Sequence, residues 1–299
     1  MSGTRGEGPP ASASASAGAS AGAWGVHALD VLGWPAEGAV REVARAVRDG
    51  LPVRLCADAG WPGDDDVLPP NVRASVRPAS VRAPATPAYS LWVTDRVIPL
   101  GAHEAVLRPP SLTVGVGAAR GVRAEEVVEL IERALDDTGF APASVAGLAS
   151  VAAKADEPGL LSAAERFGVP LRTFPAEALA AVGVPGAPSA AARAAVGTPS
   201  VAEAAALYSA ALYSASAPRT SEGGAYDSYG GAYDAYGGTP PPPPSLPVPK
   251  RVSAPDGRTG LATAAVARRP PESWQAPPVR PPHGALSVRP PGGSRVTPV

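Results

Sequence analysis

This sequence has almost no cysteine: Cys56 is the only one among its 299 residues. A single cysteine excludes an internal disulfide and a cysteine-rich zinc site. Cys56 lies in an apolar, alternating segment, which predicts an inert thiol in a core. Long apolar runs are missing too: none approaches the roughly 20 residues of a membrane-spanning helix, and serine and glycine interrupt the N-terminal alanines where a signal peptide would need an apolar core. These absences predict a cytoplasmic protein without a membrane segment.

An excess of either charge is also missing, because 26 lysines and arginines stand against 27 aspartates and glutamates. This balance excludes the electrostatic footprint of a nucleic-acid-binding protein. Histidine is scarce, and its three copies are His27, His103 and His283. None of them stands near a glycine-flanked nucleophile or at the spacing of metal ligands. We therefore predict no Ser-His-Asp hydrolase, no metal site and no cofactor of the chain's own.

Glycine and proline are abundant, with 33 and 38 copies, and they crowd three segments. None of these segments has a periodic apolar face that could offset the entropy of ordering the chain. We therefore predict a disordered Ser/Ala-rich head over 1–25, a disordered insert over 209–245 and a disordered Pro/Arg-rich tail over 270–299. Within the insert, Gly-Gly-Ala-Tyr-Asp at 223–227 recurs at 230–234. This tyrosine repeat is either a neutral loop expansion or a weak contact site.

The pattern of residues 26–110 predicts a small α+β region made of short helices and strands. Apolar residues recur at helical spacing over 37–49, and Gly50 follows as a C-terminal stop. Three strands are predicted at 52–57, 90–94 and 105–108.

Residues 111–208 and 246–269 alternate between strand and helix patterns. Strands are predicted at 112–117, 145–151, 170–174, 246–253 and 260–267, and helices at 124–137, 157–167, 176–182 and 200–208. This alternation with short connections predicts an α/β domain with a mostly parallel sheet and helices on both faces. A turn at 254–257 joins the last two strands, which predicts an antiparallel addition at the sheet edge.

A glycine-rich turn follows the first strand of this α/β domain. It contains Gly115, Gly117, Arg120 and Gly121, and Arg123 precedes the next helix. Backbone amides and cations at a helix N-terminus suit an anionic group, so we predict a carboxylate-binding turn. A dinucleotide fingerprint is disfavoured because the glycine spacing differs and no acidic residue ends the second strand. The remaining alternative is that the glycines allow a helix and a strand to pack closely.

Three charged residues, Lys154, Asp156 and Glu157, follow the second strand of the domain. Because ligands of open α/β sheets bind along the carboxyl ends of the strands, Lys154 is a candidate carboxylate clamp. Asp156 and Glu157 are weak candidates for a general acid or base. Alternatively, Asp156 caps the following helix, Glu157 offsets its dipole and Lys154 is solvated.

A second candidate anion site begins the predicted helix 200–208. Gly197, Thr198 and Ser200 offer amides and hydroxyl groups, although plain capping, with Ser200 and Glu203 as a capping box, explains them equally well. Lys250 lies on a strand, where a lone lysine usually faces solvent, so its place in the site depends on a family resemblance.

The order of several short segments carries this resemblance. They are Gly115–Gly121, Lys154–Leu160, Phe167–Leu171 and Val196–Ala206, followed by Val248–Arg251 and Ala264–Arg268. In this order they resemble the C-terminal domain of the CbiG/CobE family of cobalamin biosynthesis. Upstream segments resemble the family's central region, and they are Leu32–Pro35, Asp49–Val53, Val93–Val97 and Leu107–Pro110. The resemblance covers most of 26–268.

The resemblance implies a role in vitamin B12 biosynthesis and a tetrapyrrole ligand, a precorrin intermediate. Hydrolases of this family open a lactone ring on a cobalt-precorrin and release acetaldehyde, so cobalt is present only when the ligand carries it. Precorrins bear many acetate and propionate groups. These groups suit ion pairs with Arg120, Arg123, Lys154 and Lys250.

The chain departs from the family at its N-terminus. The hydrolases carry a further N-terminal domain, and the head 1–25 stands in its place. This departure implies lost or partner-dependent hydrolysis, with a separate N-terminal-domain protein or other cobalamin-biosynthesis enzymes as partners. The leading hypothesis is therefore a protein that binds a corrinoid intermediate. The alternatives are a competent cobalt-precorrin-5A hydrolase and a non-catalytic scaffold that acts through the tyrosine repeat and the tail.

Overall fold

Two five-stranded sheets organise the chain. The computed structural model describes residues 33–58, 68–76, 88–185, 200–215, 244–255 and 260–274. The predicted head, the tyrosine repeat and the tail beyond residue 274 lie outside the described residues.

The first sheet has the order β1-β5-β4-β2-β3. Its strands are β1 (Ala36–Gly38), β2 (Val53–Ala57), β3 (Val72–Val76), β4 (Tyr89–Val93) and β5 (Glu104–Leu107). Strands β2 to β5 run parallel, and β1 pairs antiparallel with β5. Helix α1 (Val40–Arg48) buries Val43, Ala44 and Ala46 against one face of this sheet. The region expected to be a small α+β unit therefore contains a mostly parallel sheet.

Helix α1 begins three residues later than the predicted helix 37–49. Ala36–Gly38 pairs with β5 instead of joining the helix. Gly38 allows this pairing because its φ is +81° and a Cβ there would lie 2.5 Å from the Glu104 carbonyl oxygen.

The second sheet has the order β8-β7-β6-β10-β9. Its strands are β6 (Leu112–Ala118), β7 (Val145–Val151), β8 (Leu171–Phe174), β9 (Ser245–Val252) and β10 (Ala262–Arg268). Strands β6, β7 and β8 are parallel, whereas β10 runs antiparallel to both β6 and β9. The predicted mostly parallel sheet is confirmed. The antiparallel addition predicted at the sheet edge is confirmed as well, because β10 pairs antiparallel with β6 and with the outermost strand β9.

Helices cover both faces of the second sheet, as predicted. One face packs against α2 (Ala124–Asp136) and α3 (Pro158–Phe167), and this core includes Val114, Val116 and Ile131. The other face packs against α4 (Ala176–Ala180) and α5 (Val201–Ala215), with Ala149 and Val151 among the buried residues. Alternate residues of a strand point to opposite faces, so neighbouring residues of β7 enter different cores.

The start of α3 differs from the prediction. Glu157 occupies the N-cap position, and its side chain makes no capping hydrogen bond. Asp156, the predicted cap, is exposed and precedes that position. At the other end, Gly168 adopts the left-handed conformation with φ 66°, and the helix ends at Phe167, the predicted last residue.

A buried ion pair joins the two sheets. Asp95 follows β4 and is fully buried. Arg268, at the end of β10, donates from Nε to Asp95 Oδ2 at 2.6 Å and from Nη2 to Oδ1 at 3.1 Å. The hydroxyl of Ser111, just before β6, donates to the same Oδ2 at 2.6 Å. The carboxylate therefore bonds to both strands of the β6–β10 pair at one end, where β6 begins and β10 ends.

The segment after β10 enters the core of the first sheet. Trp274 is 4% exposed and packs edge-to-face against Trp34, with ring centroids 6.4 Å apart. Its indole Nε1 donates to the Arg269 carbonyl oxygen at 3.1 Å. The ordered chain thus continues past residue 269, where the tail was expected to begin.

Candidate functional site

The carboxyl ends of β6 and β7 bring together residues that the sequence places after two separate strands. The Gly121 N–H donates to Glu157 Oε1 at 2.8 Å. Lys154 Nζ donates to Glu157 Oε2 at 3.0 Å. Through these two hydrogen bonds, Glu157 connects the turn after β6 to the segment before α3. Open α/β sheets bind their ligands at the carboxyl ends of their strands, which is where this connection lies.

Glu157 holds this structure together. Its side chain is 5% exposed and both carboxylate oxygens accept hydrogen bonds. The hydrogen bond from Lys154 is the largest influence and, with the Gly121 amide and the charges of Lys154 and Arg120, holds the pKa of Glu157 below its usual value against the opposing effect of burial. An ionised carboxylate has no proton to donate, so this geometry suits a role in fixing the turn. The proposed acid or base role of the exposed Asp156 stays a prediction.

The cations at this edge differ in their accessibility. Lys154 is 14% exposed and its ammonium is engaged by Glu157. Arg120 and Arg123 are exposed, and neither forms an ion pair with another residue in the described part of the chain. Arg120 directly precedes Gly121, so its accessible guanidinium is carried by the fixed turn itself.

Gly115 and Gly117 lie under α5. A Cβ on Gly115 would collide with the Ala202 carbonyl oxygen, and a Cβ on Gly117 would lie 2.6 Å from Thr263 Oγ1. Close packing therefore accounts for glycine at both positions. This is the alternative to ligand binding that the sequence left open. The proposed binding site therefore includes no ligand contact from Gly115 or Gly117.

The start of α5 reaches the same edge from the opposite face of the sheet. The Ser200 hydroxyl accepts a 3.4 Å hydrogen bond from the Glu203 N–H. This contact is half of the predicted capping box. The other half is absent, because Glu203 Oε1 instead accepts the Lys250 N–H of β9 at 3.1 Å. Gly197 and Thr198 lie outside the described residues.

Two buried acids escaped the sequence analysis as site residues. Glu203 is 0% exposed, and its Oε2 has no hydrogen-bond partner in the described ranges. Glu126 on α2 is 6% exposed, and its Oε1 accepts from the Ser253 hydroxyl at 2.6 Å and from the Leu261 amide. The Ser253 hydrogen bond is the largest of several effects that together hold the pKa of Glu126 below its usual value. Helical spacing could have indicated that Glu126 is buried, because Glu126 lies four residues before Leu130 and therefore on the same buried face of the helix.

The described ranges contain neither a cluster of metal-ligating side chains nor a helix that could cross a membrane. No group of three or more His, Cys, Asp and Glu side chains is arranged to hold a metal ion. No helix there has both the length and the apolar character to cross a membrane. His103 lies in the turn before β5 and places Nδ1 3.2 Å from an exposed Glu42 oxygen.

Comparison with known proteins identifies the family. Residues 112–225 match a family model described as "Cobalamin synthesis G C-terminus". The chain is 42% identical over 86 residues to Protein CobE of Sinorhizobium sp, which covers 28% of this chain and 56% of that protein. It is 31% identical over 149 residues to the cobalt-precorrin-5A hydrolase of Priestia megaterium, covering 46% of this chain and 39% of the relative. Residues 112–225 therefore match the C-terminal region of the CbiG/CobE family.

A solved structure of this CbiG/CobE family is also similar to the chain. CobE, described as a protein from the cobalamin (vitamin B12) biosynthetic pathway, is 29% identical with a TM-score of 0.41, over 53% of this chain and 93% of that one. The curated relatives are matched over only 56% and 39% of their lengths.

The family match includes most of the candidate site. Arg120, Lys154, Glu157 and Ser200 fall within residues 112–225, and Lys250 falls outside. These matches relate the chain to cobalamin-biosynthesis proteins of the CbiG/CobE type, among them a cobalt-precorrin-5A hydrolase.

Proposed function

We propose that this protein binds a precorrin intermediate of cobalamin biosynthesis at the carboxyl edge of the second sheet. The observation that carries the proposal is the exposed Arg120 on a turn whose backbone is fixed by Glu157. A preorganised turn loses little conformational entropy when a ligand binds, so more of the ion-pair energy remains as affinity.

The charge at this edge suits a ligand with several carboxylates. Lys154 is paired with Glu157, so the exposed side chains of Arg120 and Arg123 supply the positive charge that a ligand can reach. A guanidinium binds a carboxylate through two parallel hydrogen bonds, which fixes orientation as well as adding energy. The peripheral acetate and propionate groups of a precorrin provide such carboxylates at several points.

The start of α5 supplies the second half of the proposed site. Free amides and the helix dipole favour an anion at a helix N-terminus. The proposal assigns the ligand contacts there to Gly197, Thr198 and Ser200, with Lys250 on the neighbouring strand. Cobalt belongs to the ligand in this scheme, and no metal ligand is assigned to the chain.

Titration with cobalt-precorrin-5A tests the proposal. Arg120→Ala should weaken binding about tenfold, because a charge-assisted hydrogen bond contributes about 1.5–3 kcal/mol. Arg133→Ala is the matched control, since Arg133 is equally an exposed arginine but lies in the last turn of α2, at the opposite edge of the sheet. Equal affinity of the wild type and Arg120→Ala would remove this edge from the binding site.

Hydrolysis is a second candidate function, favoured by the 31% identity to a protein named cobalt-precorrin-5A hydrolase. Incubation with the lactone intermediate followed by an acetaldehyde assay tests it. Sustained release by the chain alone supports a competent hydrolase. Release only after a separate N-terminal-domain protein or another pathway enzyme is added supports partner-dependent hydrolysis. Asp156→Asn should then lower the turnover number if Asp156 handles a proton.

A further inference from the structure

Three exposed apolar side chains form a row across the ends of three neighbouring strands. Ala119 follows β6, Leu261 precedes β10 and Val252 ends β9. The Ala119 N–H donates to the Leu261 carbonyl oxygen at 2.8 Å, which extends the β6–β10 ladder by one residue. Leu261 and Val252 are each 49% exposed. They are two of the five large apolar side chains named as exposed in the described ranges.

The strand register puts this row on the α5 side of the sheet. Ala262 and Ala264 belong to the core under α2 and α3, so alternation turns Leu261 and Thr263 to the opposite side. Val252 pairs directly with Thr263 and therefore shares its face. Diagonal neighbours on one face of an antiparallel pair lie within reach of each other, so Leu261 and Val252 adjoin one another just beyond the start of α5.

Positive charge lies at both ends of this row. Arg120 directly follows Ala119 and is exposed. Lys250 lies two residues before Val252 on β9, and its N–H bonds to Glu203 of α5. The row itself spans three strands, about 10 Å at a strand spacing of ~4.8 Å. It is thus an apolar strip with a cation at each end and a helix N-terminus along one side.

We infer that Ala119, Leu261 and Val252 are the platform against which the face of the tetrapyrrole ring lies, an inference that rests on the proposed function. A macrocycle with an apolar face and an acidic periphery complements this pattern, because the ring covers the strip while its carboxylates reach the cations. A second copy of the chain fits less well. In a twofold interface the same patch meets itself, so the cations of both copies would face each other.

The same titration with cobalt-precorrin-5A tests the platform when neutral substitutions are used. Leu261→Ser and Val252→Ser remove apolar contact area without changing the charge of the edge. Each should weaken binding about fivefold, as expected for a half-exposed aliphatic side chain that becomes covered. Val97→Ser is the control, because Val97 is 61% exposed and its N–H bonds to Gly139 at the other edge of the sheet. Its affinity should equal that of the wild type.

A ring-free probe separates the platform from the charges. Butanetetracarboxylate, an acyclic polycarboxylate, should bind the wild type and Leu261→Ser equally, since it has no ring to rest on the strip. If both serine variants bind the precorrin as tightly as the wild type while Arg120→Ala binds weakly, the platform is wrong and the proposed function stands. If the wild type binds no precorrin, the proposed function and the platform both fail. Self-association of the wild type that Leu261→Ser abolishes would make the row an interface between copies and overturn the inference.

Discussion

Replacing Asp95 with alanine should destabilise the two sheets together. The side chain is 0% exposed, and both oxygens bond to Arg268 while one also accepts from Ser111. Removing one partner of a buried, hydrogen-bonded ion pair costs about 3–5 kcal/mol. Arg268 is 23% exposed, so water can solvate part of its guanidinium, and we expect the lower end, about 3 kcal/mol. This is a large part of the ~5–15 kcal/mol that stabilises a typical domain.

Asp58 provides the matched control for this prediction. Its Oδ2 lies 3.7 Å from Arg268 Nη2 and its side chain is 16% exposed. A longer and partly solvated pair contributes about 0–1 kcal/mol, so Asp58→Ala should lose at most a third as much stability as Asp95→Ala.

Urea unfolding followed by tryptophan fluorescence and by far-UV circular dichroism measures both losses. The two signals should change in a single coincident transition, because Trp274 of the second sheet's terminal segment is buried beside Trp34 in the first core. An Asp95→Ala loss below about 1 kcal/mol, the upper end for an exposed pair, would refute the reasoning. Equal losses for both variants would refute it as well.

Three further predictions concern the packing of α5, the fixed turn and the last described segment. Gly115→Ala should destabilise by roughly 2–3 kcal/mol because its Cβ overlaps the α5 backbone, whereas Gly183→Ala meets open space and should be neutral in the same urea experiment. Because the pKa of Glu157 is lowered, its stabilising contribution is present above the ordinary value of 4.5 and is lost as the pH falls through the lower folded value. Glu157→Gln should therefore weaken the dependence of the unfolding free energy on pH in that acid range, and an unchanged dependence would contradict the assigned contacts. Truncation after residue 269 should lower the melting temperature more than truncation after residue 274, since only the longer chain keeps the buried Trp274, and equal melting temperatures would argue against its role in the core.

Apolar periodicity was sufficient to locate most elements of the second sheet. The strand predicted at 145–151 is β7 with the same bounds, and the helix predicted at 124–137 is α2 to within one residue. These elements carry their own pattern, because a buried stripe repeats at each turn of a helix and buried strands form short apolar runs. Helix α5 runs to Ala215, seven residues beyond its predicted end, since alanine and leucine continue a helix without any stop signal.

Strands β1 and β3 were not predicted, for a physical reason that lies outside their own residues. All three residues of β1 are exposed, so no apolar alternation marks the segment. Its strand conformation results from pairing with β5, about seventy residues away. Strand β3 is similarly defined by its parallel partner β2. Such pairings depend on tertiary contacts, which local propensity does not encode.

The location of the candidate site could be predicted from the sequence, but most of the contacts inside the site could not. Sheet topology alone placed Arg120 and Lys154 at one edge, because parallel strands end on the same side. The sequence could not show that Glu157 would accept the Gly121 N–H, since this hydrogen bond joins two turns that are 36 residues apart in the chain. Burial of Glu203 likewise follows from the approach of β9, which enters only after α5.

The position of Trp274 determines when this protein can finish folding during its synthesis. The first sheet is complete in the nascent chain once β5 has emerged, yet its core still lacks an aromatic ring that is translated more than 150 residues later. A ribosome-bound chain therefore holds an unfinished apolar surface beside Trp34 until the second sheet has also been made. The interval between these two events is when the protein is most exposed to aggregation and most dependent on chaperones.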